Sequence, residues 1–145
     1  MEDLYREVVI ERYRRPRHRH ALDNATAQAH THNPLCGDDL TIFVQLEDQT
    51  LVDAAFEAHG CSISQASADL MIDVVQGQTL DEVRELIAAF RGMVSAEDAA
   101  EPSGLGDARV LRAVRKYPVR VKCALLAWDS LESALTAVES GTLGG

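Results

Sequence analysis

Three cysteines are the residues of this sequence best suited to chemistry, and each stands near a boundary between predicted elements. Cys36 lies in NPLCGDD just before a strand, Cys61 in HGCSIS between a hairpin and a helix, and Cys123 in VRVKCALLAW near the start of the last helix. Thiolates suit zinc or iron–sulfur clusters, and a structural zinc usually takes four ligands. An odd number of widely spaced cysteines favours thiol or metal chemistry over a disulfide framework.

Asp38 is the best candidate for a fourth ligand. A carboxylate is an ordinary zinc ligand, and Gly37 allows the loop after Cys36 to fold back on itself. His59, two residues before Cys61, is an alternative, although the end of a hairpin favours a solvated position. His30 and His32 would point to the same side of a strand and could also approach a metal, but they rank below Asp38.

A simpler interpretation of the same residues stays open at this point. A free cysteine is often a small buried hydrophobic residue, and an aspartate in a turn often caps its own backbone. The sequence contains no C-x-x-C motif, so spacing alone does not establish a metal site. If the site exists, helix starts would favour thiolates at Cys61 and Cys123, and Arg120 and Lys122 would offset part of the negative charge.

The elements that would position these residues follow from hydrophobic periodicity. Apolar residues at helical spacing predict a helix over 3–14, with Leu4, Tyr5, Val8, Val9 and Tyr13 on its apolar face. Alternating residues predict an edge strand over 27–32 and a hairpin whose strands include 40–46 and 52–58. Helical patterns then cover the residues after Gly60, the segment opened by a capping box at Thr79 and Glu82, residues 107–116, and the final segment around Trp128.

This order of elements predicts an α+β fold, with a small antiparallel three-stranded sheet packed against helices in two layers. Residues 1–145 are expected to form a single domain. Pro, Gly and Ser content marks 95–106 as a linker-like insertion, and 141–145 as a frayed tail.

Composition excludes several classes of function. The net charge of −9 argues against a nucleic-acid partner. The one basic cluster of the sequence is expected to form a solvated face or to dock an acidic protein. It comprises Arg12, Arg14, Arg15, Arg17 and Arg19. No apolar run approaches the roughly 20 residues of a membrane helix, and the charged N-terminus lacks the apolar core of a secretory signal. A cytoplasmic location is therefore expected.

The three cysteine motifs, NPLCGDD, GCSISQAS and RVKCALLAW, occur in an order that resembles the U-type iron–sulfur scaffold family. The YRRPRH segment after the first helix adds to this resemblance, which extends over nearly the whole chain. In the IscU branch a histidine precedes the third cysteine, whereas this chain has Lys122. That difference and the segment GLGDARVLRAVRKYPVRVKCALLAW resemble the SufU branch.

The resemblance implies a SufE/IscU-like fold and a specific activity. SufU-type proteins bind zinc through residues that correspond to Cys36, Asp38, Cys61 and Cys123, and accept persulfide sulfur from the cysteine desulfurase SufS. Cys36 would be the acceptor, and a histidine of the desulfurase would replace it on the zinc. Arg120 matches an arginine that would assist this exchange. Other SUF proteins are further expected partners, and a transient [2Fe–2S] cluster on the same ligands is the alternative.

Overall fold

The computed structural model describes residues 2–33, 37–95 and 104–140. Its helices are α1 (Glu2–Arg14), α2 (Ser62–Val75), α3 (Leu80–Ser95), a 3₁₀ helix (Gly106–Lys116) and α4 (Pro118–Ser140). Its strands are β1 (Ala27–Asn33), β2 (Asp38–Glu47) and β3 (Thr50–His59). Residues 96–103 of the predicted linker and the predicted tail, 141–145, lie outside the described residues.

The three strands form one antiparallel sheet in the order β1-β2-β3, as the alternation predicts. The β2–β3 turn uses two central residues, Asp48 and Gln49, with φ values of 49° and 64°. Two positive φ values are typical of the type I′ turn, whose twist matches that of a hairpin. The capping box also forms, because Thr79 N–H donates to Glu82 and Glu82 N–H donates to the Thr79 hydroxyl.

One face of the sheet packs against helices, and this gives the predicted two-layer α+β arrangement. Leu40, Ile42 and Phe56 on this inner face are at most 1% exposed. In the helical layer the rings of Trp128 and Phe90 stack with centroids 4.1 Å apart. The other face of the sheet carries more polar and exposed residues. Alternate residues of each strand, such as Leu40 and Ile42 of β2, therefore point toward the helices.

Helix α1 forms where predicted, but two of its apolar residues are not in the core. Leu4 and Tyr13 are 47% and 40% exposed, whereas Tyr5 and Val9 are buried. The buried stripe continues to Arg12, which is only 3% exposed. Helix α1 packs against α2, so partners on α2 rather than hydrophobicity alone decided which side of α1 was covered.

Candidate metal centre

Asp38 begins β2 on the inner face of the sheet and is fully buried. Its Oδ1 accepts a 2.7 Å hydrogen bond from the Cys61 backbone N–H, and its Oδ2 lies 3.6 Å from Cys61 Sγ. The chain can approach this carboxylate because Gly60 has no side chain: a Cβ there would lie 2.2 Å from Oδ1. One carboxylate oxygen is thus held by the backbone, and the other faces a thiol.

Cys61 is the N-cap residue of α2 and is half-buried. Its Sγ accepts a 3.5 Å hydrogen bond from the Ser64 N–H, one of the helix-start donors that have no partner within the helix. Such a donor and the positive end of the helix dipole both stabilise negative charge on sulfur. The position predicted for Cys61, at the junction of hairpin and helix, is confirmed.

Cys123 is 3% exposed and does not lie at a helix start. Helix α4 begins at Pro118, since a proline at the first helical position loses no hydrogen bond, and Cys123 therefore sits in its second turn. The helix-start argument for a thiolate was wrong for this residue. Instead, the inward face of α4 carries the sulfur toward the sheet edge, where α2 begins.

One ligand atom each from Asp38, Cys61 and Cys123 lies within 4.8 Å of the others. Among the described residues this is the only group of three or more acidic, histidine or cysteine side chains that is so closely gathered. A carboxylate and two thiolates are a donor set that suits tetrahedral zinc. Cys36 lies outside the described residues, so its part in the ligand set stays a prediction.

The histidines considered as alternatives do not enter this group. His59 is exposed at the end of β3, as predicted. His30 and His32 are exposed on the outer face of the sheet, whereas Asp38 points to the inner face. Residues two apart on a strand point to the same face, so His30 and His32 lie together. Their face is opposite to the one that carries Asp38 beside the two cysteines.

Arg120 lies beside the candidate metal centre rather than within it. Its guanidinium stacks over the Tyr117 ring, 4.4 Å from the ring centroid. Both residues line a groove of about 310 Å³ with Tyr5, Arg6 and Ser62, the residue after Cys61. Burial raises the pKa of Tyr5, an effect that Arg120 opposes and the nearby charge of Cys61 reinforces. Tyr5 therefore lies within electrostatic range of both Arg120 and Cys61.

Helices α1 and α2 are joined by a buried ion-pair network that the sequence did not predict. Asp69 on α2 is fully buried and accepts hydrogen bonds from Arg12 Nη1 at 2.8 Å and from the backbone N–H groups of Arg17 and His18 at 2.9 and 2.8 Å. Asp73, one turn later, contacts Arg12 and His18. The prediction of a solvated basic cluster was thus wrong for Arg12, and the neighbouring His18 is half-buried as well.

A signal for this network exists in the sequence, but it is weak. Asp69 and Asp73 stand four residues apart and therefore share one side of a helix, away from its apolar stripe. Arginines are abundant near the N-terminus, but spacing does not indicate which of them reaches these carboxylates. The pairing needed the tertiary arrangement of α1 against α2.

Comparison with known proteins shows the family of this chain. A family model described as the NifU-like N terminal domain matches residues 4–124. The chain belongs to the NifU-like N-terminal domain family. Over 141 residues it is 33% identical to a protein of Bacillus subtilis (strain 168) named zinc-dependent sulfurtransferase SufU, with 97% of this chain and 95% of the relative covered.

Two further relatives support the same family membership. The iron–sulfur cluster assembly scaffold protein IscU of Streptococcus pyogenes serotype M1 is 36% identical over 135 residues, with 93% of this chain and 84% of the relative covered. A crystal structure of a SUF-system protein, FiSufU from Fervidobacterium islandicum AW-1, superposes with a TM-score of 0.84 at 34% identity. It covers 92% of this chain and 98% of FiSufU. The family resemblance in the cysteine motifs and the predicted fold are both confirmed.

Within this NifU-like family, the chain falls in the SufU and IscU group of iron–sulfur cluster assembly proteins. No helix within residues 2–33, 37–95 and 104–140 is both long enough and apolar enough to cross a bilayer.

Proposed function

We propose that this protein is a zinc-dependent sulfur acceptor that takes persulfide sulfur from a SufS-type cysteine desulfurase during iron–sulfur cluster assembly. The observation that carries the proposal is the approach of Asp38, Cys61 and Cys123 within 4.8 Å of one another. This donor set occurs in a chain 33% identical to a relative named a zinc-dependent sulfurtransferase. Cys36, two residues before Asp38 in the chain, would complete a tetrahedral set of four ligands.

The chain's own residues supply the acceptor chemistry. The Cys36 thiolate attacks the outer sulfur of the desulfurase persulfide, the sulfur–sulfur bond breaks, and the desulfurase cysteine leaves as a thiolate. Cys36 then carries the persulfide. Bound zinc would keep the thiolates deprotonated and would not oxidise them, because Zn²⁺ has no redox chemistry. Backbone N–H groups hold Asp38 and Cys61, and Cys123 is buried within α4. The resemblance to SufU-type proteins implies that Cys36 is the ligand that exchanges.

The groove beside the centre supports docking of the sulfur donor. Arg6 and Arg120 both line it, and no acidic side chain does so among the described residues. The whole chain has a net charge of −9, so this local positive charge runs against the average. Complementary charges steer association and fix orientation. We therefore propose that an acidic surface of the desulfurase approaches along this groove, past Arg120. Other SUF proteins and a cytoplasmic location belong to the same proposal.

The deciding experiment compares Cys36→Ala with Cys61→Ala. If Cys36 is the exchangeable acceptor, Cys36→Ala abolishes stimulation of the desulfurase and retains most of the thermal stability, whereas Cys61→Ala lowers both stability and zinc content. Zinc per chain, measured by elemental analysis, confirms that the Cys36 variant has folded around its metal. Full stimulation by Cys36→Ala, or equal loss of stability in both variants, would contradict the proposal.

A second candidate function is the assembly of a transferable [2Fe–2S] cluster on the same residues. The 36% identity to a relative named as an IscU scaffold favours it. Lys122 stands directly before Cys123, where the IscU branch has a histidine, and this counts against it. Anaerobic reconstitution separates the two candidates: a cluster that transfers rapidly to an acceptor protein supports the scaffold, whereas one stable zinc per chain supports the sulfur acceptor.

A further inference from the structure

Gln65, the fourth residue of α2, has a buried side-chain amide that joins two distant parts of the chain. The residue is only 5% exposed. Its Oε1 accepts a 2.8 Å hydrogen bond from Arg19 Nη1, and its Nε2 donates to the Gly60 carbonyl at 3.3 Å. A guanidinium can only donate, so the amide oxygen must face Arg19 and the amide N–H must face Gly60. The two partners therefore determine the orientation of the amide.

The carbonyl that accepts from Gln65 belongs to the peptide unit between Gly60 and Cys61. The N–H of the same unit donates to Asp38 Oδ1 at 2.7 Å. Because a peptide unit is planar, fixing the direction of its C=O also fixes the direction of its N–H. Glycine places few steric limits on its own dihedral angles, so Gly60 does not by itself hold this unit in one orientation. The hydrogen bond from Gln65 supplies that restraint.

We propose that Gln65 is a positioning residue for the candidate metal centre. Its amide holds the peptide unit so that the Cys61 N–H points to one oxygen of Asp38, while the other oxygen, Oδ2, stays 3.6 Å from Cys61 Sγ. This role rests on the proposed function in one respect, since the carboxylate and the two thiols must bind a metal. Gln65 is not a ligand itself, because both ends of its amide are already engaged.

Arg19 connects this arrangement to the segment that follows α1. The backbone of this segment is held at the edge of β3, where the Phe56 N–H donates to the His18 carbonyl at 3.0 Å and Arg19 forms a single bridge with Phe56. An arginine anchored at this edge can keep its guanidinium at the Gln65 oxygen. Their hydrogen bond is charge-assisted, so it restrains the amide more strongly than a neutral donor would. Arg19 therefore acts on the metal centre only through Gln65.

The test is competition for Co²⁺ between the protein and a chromophoric chelator, together with the visible spectrum of the bound Co²⁺. Gln65→Glu is the main variant, since its carboxylate keeps the contact with Arg19 but has no hydrogen to donate to Gly60. We expect its Co²⁺ affinity to fall about 10–100-fold, the range for loss of contacts that orient metal ligands. The d–d bands should shift because the Asp38 carboxylate moves, whereas thiolate-to-cobalt charge transfer per bound ion should persist.

Gln65→Met, which adds no charge and makes neither hydrogen bond, should give a similar loss of Co²⁺ affinity, and Arg19→Met a smaller one. Gln76→Met is the matched control, because the Gln76 amide lies at the other end of α2 and donates to Asp53. It should bind Co²⁺ like the parent protein. The thermal midpoint of each metal-free variant establishes that it is folded.

Two results would overturn the role of Gln65 and leave the proposed function standing. One is parent-like affinity and d–d bands in the folded Gln65 variants, and the other is an equal loss of affinity in Gln76→Met. A parent protein that binds no Co²⁺ would instead overturn the proposed function, and with it the metal centre that Gln65 would position. Since no desulfurase is present, these outcomes do not depend on the proposed sulfur transfer.

Discussion

At Gly60 the backbone passes so close to Asp38 that no side chain fits between them. The φ of Gly60 is +126°, a region that other residues rarely adopt, and its hypothetical Cβ would lie 2.7 Å from the Asp38 Cα. This close approach allows the next residue, Cys61, to donate its N–H to the carboxylate. A single glycine thus sets the distance between two of the proposed ligands.

We expect Gly60→Ala to lower zinc affinity by about 10–100-fold, the range for loss of the contacts that orient metal ligands. The cause is displacement of the Asp38 carboxylate. Gly77→Ala is the matched control, because Gly77 also has a positive φ, +87°, but its Cβ would meet nothing within 4 Å. Competition with a chromophoric chelator measures both affinities. Equal zinc affinities in the two variants would contradict the prediction that contact with Asp38 lowers the affinity of Gly60→Ala.

At the scale of elements, α2 and α4 must keep a fixed relation because each carries one of the gathered cysteines. Ser67 on α2 joins them: its hydroxyl donates to the Ala124 carbonyl at 2.7 Å and accepts from Trp128 Nε1–H at 3.0 Å. Ala124 follows Cys123 directly. A buried hydroxyl with both partners satisfied contributes to stability and also fixes the register of one helix against the other.

We expect Ser67→Ala to lower the free energy of unfolding by about 1–3 kcal/mol, since it leaves the buried indole N–H of Trp128 without its acceptor. Urea denaturation measures the change. The cost should shrink in a Trp128→Phe background, where no indole N–H remains to be satisfied. The same cost in both backgrounds would mean that the hydrogen bond to Trp128 is not the cause.

At the scale of the whole molecule, the network of Arg12, Asp69 and Asp73 ties the N-terminal helix to the centre of the fold. Arg12 and Asp69 have side chains that are 4% and 0% exposed, so both charges have left water and depend on each other. Removing one partner of a buried pair leaves the other uncompensated, which costs far more than losing a surface pair.

We expect Arg12→Met to destabilise the protein by about 3–5 kcal/mol. Arg15→Met is the control, because the Arg15 side chain is 80% exposed and should change stability by no more than about 0.5 kcal/mol. Chemical denaturation of both variants at neutral pH gives the comparison. A similar small effect in both would refute a structural role for the buried pair.

The same network predicts a pH dependence. Burial alone would raise the pKa of Asp73, but hydrogen bonds and charge from His18 and Arg12 outweigh it, and the net pKa is lowered. A carboxyl with a lower pKa in the folded state stabilises the fold above its unfolded pKa, about 4, and loses this contribution as pH falls through the folded value. In urea titrations across acidic pH, Asp73→Asn should show a smaller loss of stability below about pH 4 than the parent. Parallel curves would contradict this.

Local patterns in the sequence were sufficient for most of the fold. Periods of two and 3.6 located the strands and helices, and the capping box at Thr79 and Glu82 formed as predicted, because these signals depend only on neighbours in the chain. The family resemblance came from the same local motifs around the cysteines. Residue types also predicted a metal donor set, of which the structure brings Asp38, Cys61 and Cys123 together.

Only the tertiary structure decided which residues meet. The pairing of Arg12 with Asp69, the position of Cys123 within rather than at the start of α4, and the placement of His30 and His32 on the face away from the cysteines all depend on how elements pack. Period and propensity fix which side of an element is apolar. They carry no information about distances between elements far apart in the chain. A metal centre or a buried ion pair depends on those distances.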